Sequence, residues 1–130
     1  MDEGTTKLIE LIARLRGDDG CPWDKKQTLE SLAPYLLEET NEAIAEIDKN
    51  SPEGLCEELG DVMLIIVMLS RIAEEQGLFD FGDVTRGICE KIVRRHPHVF
   101  SGLKLDTAEE VLDNWKKIKL AEKKAAGERK

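Results

Sequence analysis

Residues 34–69 read PYLLEETNEAIAEIDKNSPEGLCEELGDVMLIIVML, and they decide the fold. Leu36, Leu37, Ala43, Ile44 and Ile47 make an apolar stripe at helical spacing, and Pro34 suits a helix's first turn, which predicts a helix over about 34–49. Ser51 as N-cap, with Pro52 at the first helical position, opens the next helix, and Gly77 ends it. A short connection around Asn50 makes the two antiparallel neighbours. From Val62 to Leu69 the second of them is apolar all round, the mark of a helix covered on every side. Four or five helices of one chain rarely cover a helix so completely, so a dimer is expected to complete the bundle.

The same stretch carries two acidic pairs, Glu39/Glu42 and Glu58/Asp61, each three residues apart. That spacing places both side chains of a pair on one helix face, with Cβ atoms roughly 5–6 Å apart. Glu58 and Asp61 flank the line of Ile65 and Leu69, and Glu39 and Glu42 edge the Leu36/Ala43/Ile47 stripe. Both pairs therefore border the core, where solvated helix acids would not. Four carboxylates gathered there need a counter-charge, and a hard divalent cation, Mg²⁺ first, supplies it.

Outward from this stretch the chain stays helical. Leu8, Leu11, Ile12 and Leu15 predict a helix of about 5–16 stopped by Gly17, followed by a loop over 17–26 with Gly20 and Pro22. Asp80 caps a helix that Pro97 halts near Arg95, and Thr107-Ala-Glu-Glu110 is a capping box for the last helix. Residues 123–130 are expected to fray. No strand alternation, repeat or linker interrupts the pattern. The expected fold is all-α, a single domain over 1–130 built as a bundle of four to five helices.

Charge narrows the partners. The net charge of −8 repels a phosphate backbone, so no nucleic-acid polymer is expected. Residues 38–61 hold nine acids and one base, whereas 115–130 hold seven bases and two acids. A polyphosphate would therefore need cations at the first region and basic groups from elsewhere. Cys21, Cys56 and Cys89 are odd in number and far apart, as in a reducing compartment. The acidic start has no signal-peptide pattern, and the longest apolar run is too short for a bilayer, so a cytoplasmic protein without membrane contact is expected.

Basic and aromatic groups follow. Lys91 and Arg95 lie on the side of their helix marked by Val84, Ile88 and Ile92, with Arg94 rotated away. A basic group on an inner face needs an anionic partner, whether a carboxylate of the chain or a ligand's phosphate. His96-Pro97-His98 reads as a rigid, extended element. Trp23 and Trp115 suit either buried packing or stacking on a base, and Lys119 lies one turn beyond Trp115. No Glu-x-x-His pair, P-loop or Gly-x-Ser-x-Gly motif is present.

Taken together, Gly20-Cys-Pro-Trp-Asp24, Pro34-Tyr-Leu-Leu-Glu-Glu-Thr40, Glu38-Glu39-x-x-Glu42, Glu58-Leu-Gly-Asp61, Arg94-Arg-His-Pro-His-Val-Phe100 and Trp115-Lys-Lys-Ile-Lys119 resemble segments of the MazG nucleotide pyrophosphohydrolases, all-α enzymes related to the dimeric dUTPases. The resemblance covers nearly the whole chain. Asn41 departs from it, standing where Tyr is frequent. It implies Mg²⁺-dependent hydrolysis of a nucleoside triphosphate to monophosphate and pyrophosphate, with Mn²⁺ able to substitute. Glu39, Glu42, Glu58 and Asp61 would be metal ligands, Lys91 and Arg95 would hold phosphates, and Trp115 with Lys119 would contact the nucleotide. With those acids committed to metal, Glu38 is the candidate base for a water attacking the α-phosphorus. A homodimer or higher homo-oligomer is expected. The competing readings are a catalytically silent nucleotide- or partner-binding module of the same fold and an unrelated helical interaction protein.

Overall fold

The computed structural model describes residues 2–128, and among them every regular element is helical. Five long helices are α1 (Glu3–Leu15), α3 (Leu29–Asp48), α4 (Pro52–Glu75), α5 (Phe81–Arg95) and α7 (Ala108–Glu128); α2 (Pro22–Lys26) and α6 (Pro97–Phe100) are short. The chain divides after Val84 into two compact units. No described helix is long and apolar enough to cross a membrane.

Helix ends follow local chemistry. Ser51 Oγ accepts from the Gly54 amide at 3.3 Å, and Asp80 and Asp83 cap each other across α5's first turn at 2.8 and 2.9 Å. Gly77, just past α4, takes φ 72°, and Asn50 between α3 and α4 takes φ 56°, a left-handed turn that asparagine tolerates. At α7 the Glu110 amide donates to Thr107 Oγ1 at 3.2 Å, while the Thr107 hydroxyl donates to Glu110's own carboxylate.

The structure corrects three expectations. α3 starts at Leu29, not Pro34, because Thr28 and Ser31 form a reciprocal capping box, each amide donating to the other's hydroxyl at 2.8 and 3.0 Å. Pro34 sits within that helix at an exposed position, where its missing amide cannot donate to the Glu30 carbonyl one turn back. Within the expected 17–26 loop, Pro22 starts the single-turn α2. His96-Pro97-His98 is not extended: Pro97 and His98 form the first turn of the short α6, with His96 just before it. Of the residues expected to fray, 123–128 belong to α7, and Arg129 and Lys130 lie outside the described residues.

The first unit is built on α1, α3 and α4. Ile12, Leu32, Ile65, Val67, Met68 and Ile72 form its buried core, ringed by partly buried Leu8, Leu15, Leu29, Leu36, Leu64 and Phe81. Glu46 on α3 faces Gly54 on α4, and Glu39 faces Asp61. A step back along one helix thus matches an equal step forward along the other, as an antiparallel pair requires. Within the chain α4 is not covered all round: Leu59 stays 53% and Met63 42% exposed.

One residue locks the start of the chain together. Arg16 donates from Nε and Nη2 to the Glu75 carboxylate at 2.9 and 2.8 Å, and from Nη1 to the carbonyls of Asp24 and Gln27. Buried Gln27 adds a bond from Nε2 to the Trp23 carbonyl and accepts from Ser31 Oγ. The loop after α1 doubles back so tightly that a Cβ on Gly20 would lie 2.1 Å from the Leu15 carbonyl oxygen. Gly20→Ala is therefore expected to cost about 2 kcal/mol through overpacking against backbone. Urea unfolding reads it as a lower midpoint at unchanged slope; an unchanged midpoint would show that the loop yields without cost.

Candidate metal centre and basic pocket

The two-turn register of α3 against α4 brings three acids to one point. Glu39, Glu58 and Asp61 each offer a carboxylate oxygen within 4.8 Å of the others, and all three are half-buried. Glu39 Oε2 and Glu58 Oε2 are shut off from solvent with no hydrogen-bond partner. Buried acceptors rarely stay unsatisfied, and two on adjacent carboxylates mark a place suited to a positive ligand. The donors are hard oxygens only, so the residues fit a hard divalent cation of the Mg²⁺ kind.

Glu42 is exposed, and its negative charge acts on both Glu39 and Glu58. Burial first, then Glu42, and after it the charges of Asp61 and Glu39, pushes Glu58 up to about 7. Glu39 is raised as well, by burial first and then by Glu42, Asp61 and Glu38. Glu38 itself is exposed, lining a shallow groove with Pro34, Leu37, Asn41, Glu42 and Ala45.

These shifts fix a sign. The folded chain holds the Glu58 proton more tightly than the unfolded chain, whose value is 4.5. The stabilisation is complete below 4.5 and is lost as pH rises toward 7. Glu122 acts oppositely but outside this window, since its value of about 2 removes stability only as pH falls below 4.5. With a chelator present, the melting temperature is expected to fall between about pH 5 and about pH 8, and to fall less in Glu58→Gln. Circular dichroism melts check this; equal slopes would exclude Glu58 as the source.

The second unit holds the basic residues. Ile88, Lys91, Ile92 and Arg95 of α5, His96 beyond it, and Trp115 and Lys119 of α7 line a cavity of about 340 Å³. Trp115 Nε1 donates to the Arg95 carbonyl at 2.5 Å, and its ring meets His96 edge-on at 5.4 Å. Trp115 is thus half-buried and internally satisfied, whereas Trp23 is 48% exposed and edge-on to Tyr35 at 5.6 Å. Arg94 does not line this cavity but the groove that also holds Glu122, as its rotation along α5 predicts, yet it shares a partner with Arg95. Arg94 Nε and Arg95 Nη2 both donate to the Glu122 carboxylate, at 2.5 and 2.9 Å. Hydrogen bonds from Arg95 and then Arg94 hold the Glu122 carboxyl down at about 2.

The structure therefore gathers Lys91, Arg95, Trp115 and Lys119 at one cavity and Glu39, Glu58 and Asp61 at one cluster, while Glu42 falls outside that three-acid set and lines a groove with Glu38. Sequence reading missed Glu122. Its signal was present, since Trp115, Lys119 and Glu122 follow one another at i, i+4 and i+7 along one face.

The chain is similar to several known proteins. Residues 27–100 match the MazG nucleotide pyrophosphohydrolase domain. An uncharacterized Bacillus subtilis protein, YabN, is 50% identical over 113 residues, covering 87% of this chain and 23% of that protein. The Escherichia coli K12 nucleoside triphosphate pyrophosphohydrolase is 42% identical over 118 residues, covering 90% of this chain and 45% of that protein. The chain thus spans less than half the length of these two relatives. The crystal structure of a MazG-related protein from Thermotoga maritima superposes with a TM-score of 0.72 at 32% identity, covering 88% of this chain and 97% of that one. The chain belongs to the MazG nucleotide pyrophosphohydrolase family.

Proposed function

We propose that this chain hydrolyses nucleoside triphosphates to nucleoside monophosphate and pyrophosphate with a divalent cation bound at its acidic cluster. One observation carries the reading: Glu39, Glu58 and Asp61 converge with two shielded, unpartnered carboxylate oxygens among them. The name of the Escherichia coli relative supports the substrate class.

Glu39, Glu42, Glu58 and Asp61 would hold Mg²⁺, with Mn²⁺ able to substitute. When bound, the cation supplies neutralisation of the triphosphate and of the charge that gathers on departing pyrophosphate. The chain's own groups do the rest. Glu38 is the proposed base, taking a proton from water as the water oxygen bonds to the α-phosphorus and the bond to the α–β bridging oxygen breaks. Lys91 and Arg95 would hold phosphate oxygens, and Trp115 and Lys119 would contact the nucleotide.

The family match runs from 27 to 100, across the division after Val84, which supports reading the chain as one functional domain. Exposed Leu59 and Met63 on α4, with Leu37 and Ile47 on α3, support a homodimer or higher homo-oligomer. The unpaired Cys21, Cys56 and Cys89 support a cytoplasmic setting.

A panel of ribo- and deoxynucleoside triphosphates, incubated with and without Mg²⁺ and resolved into products, tests the reading. Metal-dependent monophosphate plus pyrophosphate is the expected result. Diphosphate plus orthophosphate would overturn attack at the α-phosphorus. Saturable binding without any product would make the chain a silent binding module.

A further inference from the structure

Glu122 and the basic cavity of the second unit carry an inference that rests on reading that cavity as the phosphate-holding site. Arg95 spans two places. Its side chain lines the cavity with Lys91, Trp115 and Lys119, while its Nη2 reaches Glu122 at 2.9 Å. Glu122 does not line that cavity. It lines the neighbouring groove with Arg94, Pro97, Asn114 and Ile118. The carboxylate therefore grips the guanidinium from behind and leaves the cavity free of negative side chains.

Two further contacts make Arg95 the node of this unit. Its carbonyl accepts from the Trp115 indole, which ties the cavity's aromatic wall to the same residue. Arg94 Nε takes the second oxygen of Glu122, so the carboxylate is held at both oxygens and cannot swing. A guanidinium presents its donors in a fixed planar fork, so holding one edge sets the direction of the others. An arginine left free would lose rotamer entropy each time it met an anion.

We propose that Glu122 is a positioning residue, holding the Arg95 guanidinium in the orientation that receives a polyphosphate in the Lys91–Trp115–Lys119 cavity. It touches no reacting atom. Its effect falls on binding of the polyphosphate and leaves the chemical step alone.

The test uses the full chain and two ligands: inorganic tripolyphosphate by calorimetry, and by steady-state kinetics the nucleoside triphosphate that the native protein turns over fastest. Glu122→Gln keeps the shape but loses the charge that holds the guanidinium. It is expected to weaken tripolyphosphate binding about tenfold and raise KM similarly, with kcat within about twofold. Glu122→Asp, which restores the charge on a shorter arm, is expected to recover part of the loss. Arg94→Ala, which removes one of the two holds on the Glu122 carboxylate and leaves the Arg95–Glu122 bond in place, is expected to weaken binding less than Glu122→Gln does. Unchanged affinity in a folded Glu122→Gln protein overturns the inference. Tighter binding also overturns it, since Glu122 would then be screening the arginine. If Glu122→Gln fails to fold, the Glu122→Asp comparison decides, and native affinity there, at native KM, counts against the role. A native protein that turns over triphosphate but does not bind tripolyphosphate removes this inference alone, while a native protein that does neither removes the underlying reading as well.

Discussion

Glu58→Ala is expected to lower turnover by about three orders of magnitude while the helical fold persists. Glu58 shares its point with Glu39 and Asp61, and its Oε2 has no hydrogen-bond partner among the described residues. Removing it takes away a cation ligand and one of the crowded negative charges together. The two consequences separate in measurement. Without metal the variant loses a source of repulsion, so its melting temperature at about pH 8 is expected to stay level or rise. With Mg²⁺ the native protein gains stability by mass action and the variant does not. Pyrophosphate release, paired with melts in chelator and in Mg²⁺, reads both effects. Native release rates in the variant would refute the assignment of Glu58 to the metal.

Arg16→Ala is expected to be the most destabilising substitution of a charged residue, at about 3 kcal/mol or about 10 °C in melting temperature. The Arg16 side chain is only 8% exposed and serves the Glu75 carboxylate and two carbonyls at once. The ion pair contributes the smaller part, because Glu75 is 34% exposed and keeps Arg71 as a second partner at 3.3 Å. Most of the loss comes from the Asp24 and Gln27 carbonyls, since Gln27 would lose its guanidinium donor and Asp24 would keep only the Gln27 amide at 3.3 Å. Arg16→Lys is expected to recover little, since an ammonium cannot span the carboxylate and both carbonyls as the planar fork does. Urea unfolding of the variants checks the figure; a loss below about 1 kcal/mol would mean that water replaces the guanidinium without cost.

What could be read from sequence was local. Ser51-Pro52, Asp80 and Thr107 announced helix starts through capping chemistry that spans three or four residues. The convergence of Glu39, Glu58 and Asp61 followed from helical spacing and one short turn, and Glu42 was read into the same set although it stands outside it. The start of α3 was misplaced because Pro34 is a strong N-terminal signal, while the Thr28 box uses Ser31 where glutamate or glutamine is usual. The loop after α1 was illegible for a different reason. Its shape depends on Arg16 reaching Glu75, 59 residues away, and no local pattern encodes such a partner. Glu122 escaped because its partners lie 27 and 28 residues back, although its place on the Trp115/Lys119 face was visible.

The close hairpin of α3 and α4 also has a kinetic meaning. All four candidate ligands fall between Glu39 and Asp61, so bringing them together closes only a short loop. Contacts so near in sequence form early, before segments as distant as Arg16 and Glu75 can find each other. A cation held by this hairpin would therefore favour the nucleus from which the rest of the chain condenses. Its influence would appear as faster refolding, on the refolding limb of a denaturant series, with little change in the rate of unfolding.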